Sequence, residues 1–214
     1  MRKMLLVTLG TCLITLAGKS QISKGSVLLG GSIGFYKSTT SAESFTSNSN
    51  TTILYPVAGI AIKDNWVTGL QAGFARSSSK NSNGSHDQQN NFSSAGIFSR
   101  NYLLLGKGFY LFNHGDLSYL QSRYQQNNNP DQIRNHNVKG ITLALTPGIS
   151  YAVSKRFHLE TSLNQLVSLS YSKTETEHIS LLGRNLEKQK NLAFQSNLSS
   201  TIPLSIGFRF LLAK

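Results

Sequence analysis

Six charged or titratable side chains fall on one face of the alternating segments of this chain, a face that otherwise carries mostly glycine, serine and threonine. They are Arg100, His114, Asp116, His158, Glu160 and Arg209. The two arginines balance the two carboxylates, and an uncompensated buried ion is costly, so we expect these groups to pair if that face is enclosed. The sequence therefore predicts a buried ion-pair network. A gated path for protons or small ions through the same residues is the alternative.

Nucleophiles and metal ligands form weaker patterns. The tripeptide His178-Ile179-Ser180, with Glu187 downstream, contains the residue types of a nucleophile, a base and an orienting acid. It stands in a long polar segment of a serine-rich chain, where a match of this length arises readily by chance. Pairs such as His86-Asp87 offer two ligands, which is too few for a metal site. We therefore expect no catalytic residue, no metal and no cofactor.

The elements that must position these residues are strands, because apolar and polar residues alternate with a period of two along most of the chain. No apolar run after residue 21 approaches the roughly 20 residues that a membrane helix needs. Eight strands are predicted, with approximate bounds Ser26–Ser38, Thr51–Lys63, Trp66–Ser77, Asn90–Leu104, Gly108–Arg123, Asn135–Val153, Phe157–Lys173 and Gln195–Leu212.

The connections between these strands alternate in length. Three are tight turns, at 63–65, 105–108 and 154–156, and the other four are long polar segments that we predict to be loops. Short turns at one end, long loops at the other and an even number of strands are typical of outer-membrane barrels. The sequence predicts an all-β, eight-stranded antiparallel up-and-down transmembrane β-barrel, with both chain ends on the short-turn side.

The two faces of the predicted strands differ in composition. The outward face is apolar, as at Leu54, Ile60, Ile149 and Ile206, whereas the inward face carries mainly small and polar residues. Eight strands enclose a space that side chains largely fill. We therefore expect the lumen to be plugged by side chains and to contain no wide channel.

Aromatic residues recur at both ends of the outward face. The first residues after the three tight turns are Trp66, Phe109 and Phe157. Near the opposite ends of other strands stand Phe35, Phe74, Tyr119 and Tyr171. Aromatic rings are enriched where a membrane meets water, so these residues predict two membrane-interface belts.

The first 20 residues have the pattern of a secretory signal peptide. Arg2 and Lys3 precede an apolar run over 4–17, and the small residues Gly18 and Ser20 follow it at positions suited to cleavage. We expect residues 1–20 to be removed on export and residues 21–214 to form one domain.

The predicted mature domain contains no cysteine, because Cys12 lies within the signal peptide. An exported domain of this size must then be stabilised by something other than disulfides. The net charge drops from +12 to +9, because removal of the signal takes away Arg2, Lys3 and Lys19.

Four segments carry a further pattern: PVAGIAIKDNWVTG, FSRNY, PGISYAVSKRFHLE and the closing LSIGFRF. Through them, the chain over 21–214 resembles the outer-membrane β-barrel domain family that is common in Bacteroidota. It is also similar in architecture to the small OmpX, OmpW and OmpA-type barrels of Gram-negative bacteria. The resemblance implies insertion by the barrel assembly machinery, which reads a C-terminal strand ending in an aromatic residue. Phe208 and Phe210 supply that assembly signal.

The four predicted loops are basic. Their anionic residues are Glu43, Asp87, Asp131, Glu175, Glu177 and Glu187. Their more numerous cationic residues are Lys37, Arg76, Lys80, Arg123, Arg134, Lys139, Lys173, Arg184, Lys188 and Lys190. Above an outer leaflet these side chains would meet the phosphates of lipopolysaccharide, which Lys and Arg bind well. The charge is dispersed and lacks a stacking platform, so we expect no nucleic acid.

These observations favour a non-enzymatic integral outer-membrane protein that stabilises the envelope, or that binds an adhesion or protein partner through its loops. The first alternative is a narrow, porin-like path for small or hydrophobic solutes. The second is an enzyme that modifies envelope lipids. The expected partners are outer-membrane lipids and lipopolysaccharide, the barrel assembly machinery, and an extracellular or envelope protein whose identity the sequence does not disclose.

Overall fold

The computed structural model describes residues 22–42, 45–81, 87–129, 132–163, 165–180, 183–196 and 204–212. The predicted signal peptide lies outside these residues. The strands are β1 (Val27–Ala42), β2 (Phe45–Lys63), β3 (Trp66–Asn81), β4 (Asp87–Gly106), β5 (Phe109–Asn129), β6 (Gln132–Ala152), β7 (Phe157–Leu163), β8 (Val167–Ser180), β9 (Gly183–Ser196) and β10 (Leu204–Leu212). Across these described residues, no helix is both long and apolar enough to cross a membrane.

All ten strands belong to one antiparallel sheet that closes on itself. Each strand from β1 to β6 pairs with the next strand in the chain, and β10 pairs with both β7 and β1. The closed ring therefore has eight strand positions around it. The predicted all-β antiparallel architecture is confirmed at this level.

Two of the eight positions are each shared by two strands. Residues 148–152 of β6 pair with β7, whereas residues 132–145 pair with β8, so β7 and β8 succeed each other along one position. Between them Gln165 has a φ of 47°, a left-handed conformation that interrupts an extended strand. In the same way β9 and β10 share the next position of the ring, because β9 pairs with β8 and β10 pairs with β7. The prediction of one continuous strand over Phe157–Lys173 is wrong, whereas residues 197–203 of the predicted strand Gln195–Leu212 lie outside the described residues.

Most of the four long segments predicted to be loops are strands in the structure. β1 extends to Ala42 and β2 begins at Phe45, while β5 extends to Asn129 and β6 begins at Gln132. Polar pairs join these parts across the sheet, as between the hydroxyls of Ser47 and Ser79 at 3.1 Å. The loop prediction was wrong because both faces of these strands are polar, so the apolar alternation that signals a strand is missing.

These polar strand ends form what we call the outer extension. It comprises residues 37–42 of β1, 45–52 of β2, 76–81 of β3, 87–93 of β4, 121–129 of β5, 132–139 of β6, 173–180 of β8 and 183–190 of β9.

The three tight turns lie where the sequence predicts them, at the other end of the ring. Asn65 and Lys107 adopt left-handed backbone conformations there, with φ of 58° and 49°. Gly106 and Gly108 flank Lys107 and also have positive φ, which a residue without a Cβ adopts without strain. The short-turn end is closed further by the start of the described chain, where the Asn65 amide donates to the Ile22 carbonyl at 2.9 Å.

The apolar core lies inside the ring, towards the short turns. Its members are each at most 3% exposed, and they are Ile22, Leu28, Ala61, Val67, Phe98, Tyr102, Tyr110, Phe112 and Leu211. The outer surface of the ring is also apolar but exposed, as at Leu70, Ile97, Leu143 and Ile149. The ring thus has two separate apolar regions, one enclosed and one facing outward.

Candidate functional site

The interior of the ring contains a buried ion cluster formed by Arg100 of β4, Glu160 of β7 and Arg209 of β10. Nη1 of Arg100 lies 2.7 Å from Oε2 of Glu160, and Nη2 of Arg209 lies 3.2 Å from the same oxygen. The three side chains are only 3–7% exposed. The Tyr102 hydroxyl donates to the other carboxylate oxygen at 3.0 Å. Both oxygens of Glu160 are therefore occupied, and the carboxylate links strands on different sides of the ring.

Arg209 is fixed by the backbone as well as by Glu160. Its Nη1 donates to the carbonyl oxygens of Gly31 and Phe208 at 2.9 and 2.8 Å. This arrangement ties β10 to β1, the pair of strands at which the ring closes. Two guanidinium groups face one carboxylate, so the three-residue cluster carries a net positive charge.

The predicted anion Asp116 does not contact either arginine directly. It accepts a hydrogen bond from Ser118 at 2.9 Å, and Ser118 in turn accepts one from Nε2 of Gln71 at 3.1 Å. Oε1 of Gln71 lies 2.9 Å from Nε2 of His114. Nε of Arg100 donates to Nδ1 of His114 at 3.1 Å. A chain of hydrogen bonds therefore connects Asp116 to the ion cluster through side chains of β3, β4 and β5.

The protonation of His114 follows from these contacts. Nδ1 accepts from Arg100, so the ring proton sits on Nε2 and is donated to Gln71. The imidazole is neutral in this arrangement, and its approach to Asp116, at 4.0 Å from Nε2 to Oδ1, is not a charged pair. His114 acts as a relay between polar groups in this geometry.

His158 lies opposite Arg209 in the pairing of β7 with β10, but among the described residues no hydrogen bond or ion pair joins it to the ion cluster. Its ring stacks on Tyr110 with the centroids 5.6 Å apart, and its Nδ1 lies 3.2 Å from the Ser150 hydroxyl. Its Nε2 is buried and has no hydrogen-bond partner in the part of the chain that is described. Of the six residues that the sequence groups together, five join one network and His158 belongs to the core beneath it.

Aromatic side chains form a floor under the cluster, on the short-turn side. The guanidinium carbon of Arg100 lies 4.4 Å from the ring centre of Phe112, a cation–π contact. Tyr102 packs against both Phe112 and Tyr110, with ring centres 5.9 and 6.2 Å apart. These aromatic residues were not among the predicted site residues. The sequence does contain a signal for them, because Tyr102 lies two residues from Arg100, and Phe112 and Tyr110 lie two and four residues from His114. Alternate residues of a strand share one face.

A cavity of about 340 Å³ lies above the cluster, towards the outer extension. The ion cluster with Asp116 forms its charged base, Tyr55 and Gln71 form part of its wall, and Phe92 and Leu120 lie at its upper end. Serine and threonine hydroxyls supply much of the remaining surface. The interior is therefore polar above the cluster and apolar below it.

The predicted interface aromatics lie on the outer surface. Trp66 and Phe109 are exposed at the short-turn end, and Phe157 is half-exposed and packs on Phe210 with ring centres 5.0 Å apart. At the other end, Phe35, Phe74, Tyr119 and Tyr171 are exposed. The two residues assigned to the assembly signal lie on β10, where Phe210 is exposed and Phe208 is half-exposed.

The weaker chemical patterns gain no support among the described residues. No group of three or more His, Cys, Asp and Glu side chains there is arranged to hold a metal ion. His178 lies in the outer extension on β8, opposite Arg134 and Asn185. His86 lies outside the described residues, so the pair His86-Asp87 is not placed.

A scan of the sequence against protein-family models finds no match. A search of the curated proteins finds none either. Among solved structures, the chain is similar to the translocator domain of the autotransporter NalP from Neisseria meningitidis, with a TM-score of 0.46 and 10% identity over 96% of this chain and 94% of that chain. It is also similar to the ferric yersiniabactin uptake receptor FyuA from Yersinia pestis, with a TM-score of 0.33 and 15% identity over 71% of this chain and 25% of that chain.

These similarities are distant, so the fold and the proposed function rest on this chain's own strand pairing and surfaces. Membership of the Bacteroidota-type family stays a prediction.

Proposed function

We propose that this protein is an integral outer-membrane β-barrel whose lumen is plugged by side chains and which is not an enzyme. The apolar outer surface of the ring carries this proposal. Exposed apolar area costs roughly 25 cal/mol per Å² in water, and soluble monomers rarely expose contiguous apolar patches of more than a few hundred Å². Here large apolar side chains are exposed on β1 to β10, while a different set fills the interior. Lipid around the ring removes that cost.

The proposed orientation places the tight turns in the periplasm and the outer extension outside the cell. Short periplasmic turns and longer external parts are the usual arrangement of such barrels. Trp66 and Phe109 then lie at the inner interface, and Phe74 and Tyr119 at the outer one. Residues 1–20 act as the export signal, and the barrel assembly machinery inserts the domain through β10, with its aromatics Phe208 and Phe210.

The proposed role is structural support of the envelope or binding of a partner through the outer extension. The plugged interior supports a role outside the lumen, because the ion cluster and the aromatic floor occupy the space that a wide solute path would need. The outer extension supports binding, because it presents paired polar strands rather than flexible loops. Its partners are outer-membrane lipids, lipopolysaccharide and an extracellular or envelope protein, without nucleic acid and without a cofactor.

The cavity above the ion cluster favours one second candidate, a narrow path for small solutes. A solute that enters from the outer side would reach Arg100 and Arg209 at the base of the cavity. The floor formed by Tyr102, Tyr110 and Phe112 would then have to move before the solute could pass. Planar-bilayer recordings separate the two candidates: reproducible single-channel steps that disappear in Arg100→Ala or Glu160→Ala would establish the path and reject the plugged barrel.

Gel migration and detergent dependence test the proposed membrane location. The mature protein should require detergent for solubility and should migrate differently on a gel before and after boiling, because a folded barrel resists the detergent at room temperature. Cell fractionation should place it in the outer membrane. A protein that stays soluble and monomeric without detergent, with one gel mobility, would exclude a membrane barrel. Unchanged lipid A mass after expression is the expected result for a protein without lipid-modifying activity.

A further inference from the structure

Three lysines lie side by side across the outer face of the sheet. Lys139 of β6 is paired with Lys173 of β8, which is paired with Lys190 of β9. All three are exposed. Neighbouring strands are roughly 4.8 Å apart, so the three lysine side chains leave the sheet from a row about 10 Å long. We call this set the lysine row.

The lysine row is electrostatically unfavourable without a counter-charge. Like charges directly opposite each other across strands are destabilising. None of the three lysines forms an ion pair with another described residue. The nearest acidic neighbour on the same face, Glu175, lies opposite Asn137 and Lys188, and its carboxylate is 3.7 Å from the ammonium group of Lys188. The row therefore has an excess of positive charge available to an external anion.

The surface immediately next to the lysine row is apolar. The next outward row towards the short turns is Ile141, Tyr171 and Leu192, which are 42–74% exposed. The row after it is Leu143, Leu169 and Phe194, which are also exposed. The change from apolar to cationic thus occurs between adjacent rows on three neighbouring strands. A ligand that matches both surfaces has hydrocarbon joined directly to an anionic group.

We propose that the lysine row binds the phosphate of a lipid headgroup in the outer leaflet, with the acyl chains of the same lipid lying on the two apolar rows. This site rests on the proposed membrane location. A phosphomonoester carries about −1.5 to −2 charges at neutral pH and has three acceptor oxygens. Ammonium groups on adjacent strands bind such a group together and are relieved of their mutual repulsion. A lipid satisfies the apolar rows as well, which inorganic phosphate does not.

Lipid binding to the purified mature protein in a neutral detergent tests the site. Native mass spectrometry is used to titrate phosphatidic acid, phosphatidylcholine and inorganic phosphate separately. The wild type should bind phosphatidic acid in preference to phosphatidylcholine. The variant Lys139→Gln/Lys173→Gln/Lys190→Gln should bind phosphatidic acid about tenfold or more weakly, which corresponds to loss of about 1.4 kcal/mol or more.

A matched variant controls for the loss of three charges. Lys24, Lys107 and Lys155 are exposed lysines at the short-turn end, and Lys24→Gln/Lys107→Gln/Lys155→Gln lowers the net charge by the same amount. This control should retain the affinity for phosphatidic acid to within about twofold. Substitution of the lysine row by arginine should also retain binding, because the charge and the donors remain.

Three results would overturn the proposed site. The first is equal loss of phosphatidic acid binding in the glutamine variant and in its control. The second is equal affinity of the wild type for phosphatidic acid and phosphatidylcholine. The third is inorganic phosphate that binds as tightly as phosphatidic acid does, which would indicate a site for a free anion. Gel migration before and after boiling is recorded for every variant, so failure of the barrel itself is seen separately from failure of the lipid site.

Discussion

The carboxylate of Glu160 accepts a hydrogen bond from the guanidinium of Arg100 at 2.7 Å, across the interior of the ring from β7 to β4. The two residues are 60 positions apart in the chain. Their contact joins strands that are not neighbours in the sheet, and Arg209 approaches the same carboxylate from β10. The enclosed ion cluster is therefore a cross-brace within the ring.

Removal of the Glu160 carboxylate should strongly destabilise the protein. In Glu160→Ala, Arg100 and Arg209 would remain buried without a counter-charge, and breaking such a pair costs about 3–5 kcal/mol. The measurement is the urea midpoint of lipid-embedded protein. Glu175→Ala is the control, since Glu175 forms a half-exposed pair with Lys188 and exposed pairs contribute about 0–1 kcal/mol. Equal midpoints for the two variants would show that the cluster does not brace the ring.

A methyl group added at Gly148 should destabilise the aromatic floor. A Cβ built there meets the Phe112 ring and the backbone carbonyl of Thr161, and overpacking of this kind costs about 1–3 kcal/mol. Gly148→Ala should therefore lower the urea midpoint. Gly115→Ala is the matched control, because its Cβ would find no neighbour closer than the Ser99 carbonyl at 4.0 Å. A midpoint that falls equally in both variants would point to loss of glycine itself rather than to contact with Phe112.

Single cysteines should show that the interior is open above the ion cluster and sealed below it. The predicted mature chain has no cysteine of its own, so each introduced thiol is the only reactive one. Ser94→Cys, on the wall of the cavity, should react quickly with a small charged thiol reagent. Ser150→Cys, at a fully buried position beside His158, should react only after unfolding. Rapid labelling of both positions in the folded protein would contradict a sealed floor.

The imidazole of His136 in the outer extension should titrate below its usual range. Partial burial is the main cause that lowers the pKa of His136, and the neighbouring His178 and Arg134 lower it further, while Glu187 opposes them. The folded outer extension therefore favours the neutral imidazole. The contribution of His136 to the stability of the folded state is complete above the unfolded pKa of 6.5. It decreases as the pH falls below that value, because the unfolded state binds the proton more tightly than the folded state does.

NMR titration of the His136 ring in micelles measures this shift directly. The His136 signal is assigned by its absence in His136→Asn, and the His178 signal by its absence in His178→Asn. The second variant should also raise the pKa of His136, because it removes a like charge. A midpoint for His136 at or above 6.5 in the wild type would contradict the arrangement of Tyr124, His136 and Thr176 in the outer extension, where the ring packs on Tyr124 and hydrogen-bonds to the Thr176 hydroxyl.

The outer and inner faces of the ring were predictable because apolar and polar residues alternate at every second position. Side chains of a strand alternate between two faces, so the exposed Ile149 and the buried Ser150 follow from the pattern alone. The tight turns were predictable for a related reason, since charged or glycine residues at 63–65, 105–108 and 154–156 interrupt that alternation. The outer extension was missed because Ser, Asn and Gln on both faces of a strand leave no such contrast.

The sequence by itself determined the inward direction of Arg100, His114, Asp116, His158, Glu160 and Arg209, because direction depends only on the period of the strand. Only the tertiary structure decided which of them meet. Contact across a ring depends on the register between strands and on the interruption at Gln165, and neither is encoded in a local pattern. A shift of the strands by two residues along one another would have kept every side chain inside and changed every partner. Glu160 therefore lies with the two arginines, and His158 hydrogen-bonds elsewhere, because of pairing over long distances in the chain.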